Sequence, residues 1–259
     1  MAASPAFHPS VRENREPRMS VTALAEYMIL HADKQENILH DCRFARPPIV
    51  SANADALRAL RAYNSNPRRD HSILEKVKAA LTLRSLDLDV KPKTRDEAKR
   101  CIEAIELFER HENALGMRSM ALRESPRFDH IDIEGVTISV QPDLLVDGGD
   151  DRVGAAFIRV AKAPDPLSCK QDGTRLRRND HRREMAYYMV AIAQLLLEAQ
   201  GHSFGKPDSE LCFVADVRLG ELVGPAGDHT ARLRAIKGTC RQIVQLWPNI
   251  KPKKSVLAK

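Results

Sequence analysis

The stretch Val136-Thr137-Ile138-Ser139-Val140-Gln141-Pro142-Asp143-Leu144-Leu145-Val146 decides how the second half of this chain is read. Val136, Ile138 and Val140 alternate with Thr137, Ser139 and Gln141, a period of two that predicts a strand with one apolar face. Residues 128–133 lead into it through Glu134-Gly135, so the two runs read as a hairpin. Pro142 lies inside the second run, and a proline in a strand marks an edge, an end or a bulge. Asp143 shares the parity of Thr137, Ser139 and Gln141, and is expected to project from the less apolar side of the sheet.

The cluster from Asp147 through Gly148 and Gly149 to Asp151 follows as a turn, and residues 154–161 as a third strand. Residues 180–199 form a helix with Met185, Tyr188, Met189, Ile192, Leu195 and Leu196 on one side. Residues 211–219 are apolar enough for a central strand, and residues 228–246 are an amphipathic helix stopped by Trp247-Pro248. Upstream, residues 96–116 form a long helix. From Thr94 the order is α-β-β-β-α-β-α, which implies an α+β sheet with helices on its faces.

The N-terminal part is helical in pattern, with breaks at Arg46-Pro47-Pro48, at residues 64–67 and at Lys91-Pro92-Lys93. Ser20 is placed to cap a helix over residues 21–30, and Asn53 or Ser51 to start one carrying Leu57, Leu60 and Ala62. A further helix holds Ile73, Leu74, Val77, Ala80 and Leu81. The expected division is a disordered tail (1–18), a helical region (19–93), the α+β core (94–250) and a basic tail (251–259).

The 259 residues are enough for a core without disulfide staples, and 43% apolar content excludes a disordered chain. The five cysteines are scattered with no Cys-x-x-Cys, so they read as reduced packing residues. No apolar run reaches the ~20 residues of a membrane helix, so no membrane partner is expected. Arg12, Glu13, Arg15, Glu16 and Arg18 interrupt any secretory leader or transit peptide, and a cytoplasmic address is the expectation.

The helix over residues 96–116 has an apolar stripe at Cys101, Ile105, Phe108 and Leu115, and Glu112 occupies the same stripe. A carboxylate facing a core must be paired, protonated or metal-bound, because burying it alone is expensive. On the third strand Ile158, Val160 and Lys162 share a face, with Lys162 ending the apolar run.

An inward Glu on a helix, a Pro-Asp on the second strand and a Lys on the third together resemble the PD-(D/E)XK nuclease superfamily. The following helix resembles its RecB-like and lambda-exonuclease-like branch, with Glu184-x-x-x-Tyr188 standing where that branch has Gln-x-x-x-Tyr. The resemblance runs from about Thr94 to Leu219. It implies a restriction-endonuclease-like αβββαβ core, a mixed four-stranded sheet flanked by helices, with an N-terminal all-helical region outside the likeness.

It also implies hydrolysis of phosphodiesters, with DNA as substrate and Mg²⁺ or Mn²⁺ held by carboxylates. Asp143 would be the central metal ligand, Lys162 the motif lysine that orients water, and Glu112 the helix carboxylate. His111 is similar to a histidine some members use, although it points about 100° away from Glu112 on an ideal helix. No iron–sulfur cluster is expected, because no late cysteine group is tight enough to hold one. Between Lys170 and Arg183 six cations face two acids, and Arg175, Arg177, Arg178, Arg182 and Arg183, with Tyr188, would track a nucleic-acid backbone.

One position departs from the pattern: the residue two before the lysine is an acid in the family and Val160 here. Either the acid has migrated, with Glu184 the candidate, or the site has lost its metal and left an inactive nucleic-acid-binding or interaction protein on the same fold. A third reading, outside the resemblance, is a helical DNA-binding regulator built on residues 54–63 and 70–83, with Arg58, Arg61, Lys76, Lys78 and Arg84 as its basic face.

Overall fold

Pro142 has no N–H to give to a ladder, and in the computed structural model the chain changes sheets there. The structure describes residues 7–47, 52–201 and 203–257. It opens with β1 (Arg12–Glu13), β2 (Arg18–Ser20), α1 (Val21–Ile29), α2 (Ala32–Arg43) and β3 (Phe44–Ala45). Three helices follow, α3 (Ala54–Ser65), α4 (Ser72–Leu86) and α5 (Pro92–Leu115). Next come β4 (Ala121–Glu124), β5 (Ile131–Ile133), β6 (Val136–Ser139), β7 (Leu144–Asp147) and β8 (Arg152–Arg159). The chain closes with α6 (Asp172–Ala199), β9 (Lys206–Pro207), β10 (Phe213–Asp216), β11 (Glu221–Val223) and α7 (His229–Leu246). This is an α+β chain, and no helix among the described residues is long and apolar enough to cross a membrane.

The chain divides into two compact units that interleave in sequence. Unit 1 takes the described parts of Met1–Ile49, Phe128–Val140 and Asp228–Lys259; unit 2 takes those of Val50–Arg127 and Gln141–Gly227. The expected boundary at residues 93 and 94 is therefore not where the units part.

In unit 1, β2 pairs in parallel with β6, and β6 pairs antiparallel with β5. The expected hairpin exists, with Glu134 and Gly135 at positive φ in its turn. It belongs to this small sheet, because the run expected over residues 136–146 ends at Ser139, before Pro142. Residues 12 and 13 pair with 45 and 44, so the segment expected as a tail carries a strand from Arg12. Ser20 caps α1 as its sequence requires, accepting from the Ala23 N–H at 3.1 Å.

In unit 2 the strands lie in the order β4-β7-β8-β10-β11, with β9 added beside β8. The pairs β4–β7, β7–β8 and β10–β11 are antiparallel, whereas β8 and β10 run parallel and are joined through α6. On one face Leu144, Val146, Ala156, Ile158, Val160, Phe213 and Ala215 share a core with α3, α4 and α5. The alternate residues Leu145, Ala155, Phe157 and Val214 are equally buried, and α6 packs on β8 and β10. Arg159, of that second parity, donates to the Arg182 carbonyl of α6 at 3.1 Å.

Three boundaries differ from expectation. The first strand of this sheet is β4, upstream of the hairpin. The fourth strand stops at Asp216, and the chain turns through Gly220 (φ +65°) into β11. Finally, α6 starts at Asp172 instead of residue 180, which puts Arg175, Arg177 and Arg178 on a helix. Asn53 stands at the N-cap of α3, and Ser51 lies outside the described residues, as does Lys259 of the basic tail.

Candidate functional site

Asp143 sits just before β7, one register step from the Leu144–Ala156 pair, and its N–H donates to the Ala156 carbonyl at 2.8 Å. Its carboxylate turns along β8 and takes the Ile158 N–H at 2.6 Å, continuing the ladder where the Pro142 backbone does not. The other oxygen faces Arg61 of α3, whose Nε donates at 2.6 Å and whose Nη2 also meets it. The side chain is buried, unlike the outward projection that strand parity suggested; one irregular residue after Pro142 is enough to re-aim it. Burial pushes its pKa up, opposed by Arg61 and by the Ile158 N–H.

Glu112 lies in the buried stripe of α5, as its spacing requires, with its side chain only 13% exposed. The core-facing carboxylate is stabilised by the Tyr63 hydroxyl, which donates to Oε1, and by His71 Nε2 at 3.5 Å from Oε2. Tyr63 is pushed up to about 12 by burial first and by Glu112 next. Neighbouring His111 points elsewhere, with Nδ1 2.9 Å from the Val217 carbonyl. Its ring lies against Gly220, where an added Cβ would come within 2.9 Å of it.

Lys162 follows the end of β8 and is exposed. Its amine is 3.7 Å from Glu103 and 3.9 Å from Asp165. Arg218 joins the same two acids at 2.9 and 3.7 Å, and its hydrogen bond holds the Glu103 pKa low. Two cations and two acids thus form a neutral network between α5, the loop after β8 and the turn after β10. Sequence reasoning missed Glu103 and Asp165.

The side chains expected to converge therefore have three separate partner sets. Arg61 and Tyr63 of α3 hold Asp143 and Glu112 individually, and Lys162 turns to other acids. Glu184 belongs to α6, which covers the opposite face of the sheet from α5. Among the described residues no group of three His, Cys, Asp or Glu side chains is gathered so as to hold a metal ion.

The basic residues also divide. Arg182 is fully buried and cannot reach a backbone phosphate. Its Nε and Nη2 donate to the two oxygens of Asp216, each at 2.8 Å, and Nη1 reaches the carbonyls of Ala161 and Pro164. The signal for this was present: Arg182 is one turn before Met185 on the apolar stripe of α6. Arg183 is spent on Glu221 at 2.6 and 2.8 Å, which raises its pKa, and Tyr188 is half-buried. Arg175 and Arg178 fasten the preceding loop to α6 through the carbonyls of Cys169 and Asp165, while Arg177 is exposed. A hollow of about 300 Å³ at the start of α6 is lined by Lys170, Thr174 and Arg178 among others.

No family model matches this chain, and no curated protein matches it.

Proposed function

We propose that this chain is a nuclease-fold protein that binds a nucleic-acid backbone without cutting it, with the Arg61 guanidinium standing where its relatives hold a cation. The architecture supports a restriction-endonuclease-like core: a helix, a three-stranded antiparallel meander, a helix, and a strand parallel to the third. The observation that carries the reading is the Arg61–Asp143 pair.

The residues do not fit Mg²⁺ or Mn²⁺. A hard divalent ion needs several oxygen ligands gathered round one point. Asp143 is paired with the Arg61 cation, Glu112 is held by Tyr63 and His71, and Val160, which is buried, stands where the family has its second acid. Backbone binding is supported by the first turns of α6, which carry Arg175, Arg177 and Arg178, and by the hollow there that Lys170 and Arg178 line. DNA is the partner that the resemblance favours.

The test is anisotropy of labelled duplex and single-stranded DNA across ionic strength, with a parallel cleavage assay in Mg²⁺ and Mn²⁺. Salt-dependent binding is expected, with the log–log slope falling by ~0.7–0.9 for each phosphate contact removed in Arg175→Ala, Arg177→Ala and Arg178→Ala. No cleavage is expected from the wild type. Metal-dependent cleavage that Asp143→Ala and Lys162→Ala abolish would overturn this reading and establish the hydrolase instead.

A further inference from the structure

The segment before Met19 builds one wall of a pocket in unit 1 of about 370 Å³, within the size range of small-molecule sites. Three of its lining residues are arginines, Arg12, Arg18 and Arg46, and no acid among the described residues lines it; Glu13 and Glu16 line the adjoining hollow, which shares Arg12 and Arg18. Backbone pairing sets their positions. Arg12 lies opposite Ala45 across β1 and β3, so Arg46 follows directly beside it, and Arg18 begins β2. Arg18 shares a hydrogen bond with His130, and Arg46 donates to the Ser255 carbonyl at 3.2 Å. Each keeps further N–H donors, since a guanidinium carries five.

The nearest acid in sequence, Glu13, pairs with Arg43 at 3.1 Å and does not line the pocket. Arginine side chains along one hollow favour an anion there, which can take forked hydrogen bonds from the N–H groups left over. Val11, Ala45 and Pro47 give the pocket an apolar wall, so the anion carries an organic body.

We propose that this pocket binds an organic phosphate monoester, and the two sources tested are a free nucleotide and the 5′-phosphate end of a nucleic-acid strand. The single tryptophan is a native reporter, because Trp247 Nε1 donates at 3.0 Å to the carbonyl of Asn14, which lines the pocket. The experiment titrates the full chain with AMP, adenosine, inorganic phosphate, and an oligonucleotide with a 5′-phosphate or a 5′-hydroxyl. Binding is read by tryptophan fluorescence and by calorimetry.

AMP is expected to bind at least about tenfold tighter than adenosine, and Arg12→Ala and Arg18→Ala each to weaken AMP by about tenfold or more. Arg12 is exposed, so Arg12→Ala keeps the fold, checked by circular dichroism, and Arg12→Lys should restore part of the affinity. Preference for the 5′-phosphorylated strand over AMP assigns the site to strand ends, and the reverse assigns it to free nucleotide. Equal binding of AMP and adenosine, or an unchanged affinity in Arg12→Ala, would overturn the proposal.

Discussion

Replacing Arg61 by alanine should destabilise the protein by an amount that grows with pH. In the wild type, burial raises the Asp143 pKa above its ordinary 3.8, and Arg61 and the Ile158 N–H hold that rise in check. A carboxyl raised in the folded state binds more protons there than in the unfolded chain. Stability from this group is therefore lost as pH climbs from the unfolded value through the folded one. Removing Arg61 removes the largest opposing influence, so the folded value rises further and the window of loss extends upward.

Breaking a buried pair by deleting one partner costs ~3–5 kcal/mol. Arg61 is 35% exposed, whereas Asp143 is 7% exposed, so solvent screens one side and roughly 1–3 kcal/mol near neutral pH is the discounted figure. Toward pH 4 a carboxyl whose folded pKa is raised takes up more of its proton in both proteins, and the cost should shrink. Urea unfolding followed by far-ultraviolet circular dichroism is the assay, because α5 and α6 lie in unit 2 and Trp247 in unit 1. The double variant Arg61→Ala/Asp143→Asn should recover most of the loss at neutral pH, since asparagine can still accept the Ile158 N–H. Equal destabilisation at both pH values, or no recovery in the double variant, would refute the assignment of Arg61 as partner of a buried charge.

Arg182→Ala should cost ~3–5 kcal/mol in urea or thermal unfolding, because it strands the fully buried Asp216. Arg182→Lys should not rescue it, since an ammonium does not reproduce the two-pronged contact. Gly154→Ala should lower the melting temperature or abolish soluble expression. An added Cβ would lie 2.1 Å from the Leu211 carbonyl oxygen, and backbone cannot yield as a side-chain tip can.

The readable parts of the chain were those where local chemistry decides. Ser20 as a cap, the stripe of α5 ending at Gly116 in the left-handed region, and the strand core of β8 all follow from neighbours in sequence. The hairpin was legible as a hairpin, yet its parallel pairing with β2 joins residues more than a hundred positions apart, and no local pattern encodes that. The first two turns of α6 were hidden because their residues are mostly exposed and polar, so the 3.6-residue period has no apolar mark there. Asp143 and Glu112 were found through their oddity against an apolar background. Arg61 had no such mark, since an arginine on a helix is ordinary until a carboxylate from the sheet meets it.

The valine at 160 and the guanidinium at Asp143 make sense together as a charge balance. Two acids at the start of β7 and the end of β8 would need a divalent cation between them, whereas one acid needs only a single positive charge, which Arg61 supplies from α3. Val160 is 6% exposed and packed in the unit 2 core, so Val160→Asp alone puts a second buried charge beside a site balanced for one, and should be strongly destabilising. In Val160→Asp/Arg61→Ala two carboxylates stand without their cation, and the pair should acquire Mn²⁺-dependent stability. An ion that binds only the folded state adds ~2.7 kcal/mol at a hundred times its Kd. The melting temperature of that double variant should rise with Mn²⁺ while the wild type stays still. If both stay still, position 160 does not face Asp143, and the proposed correspondence between this sheet and a nuclease fold fails at its central residue.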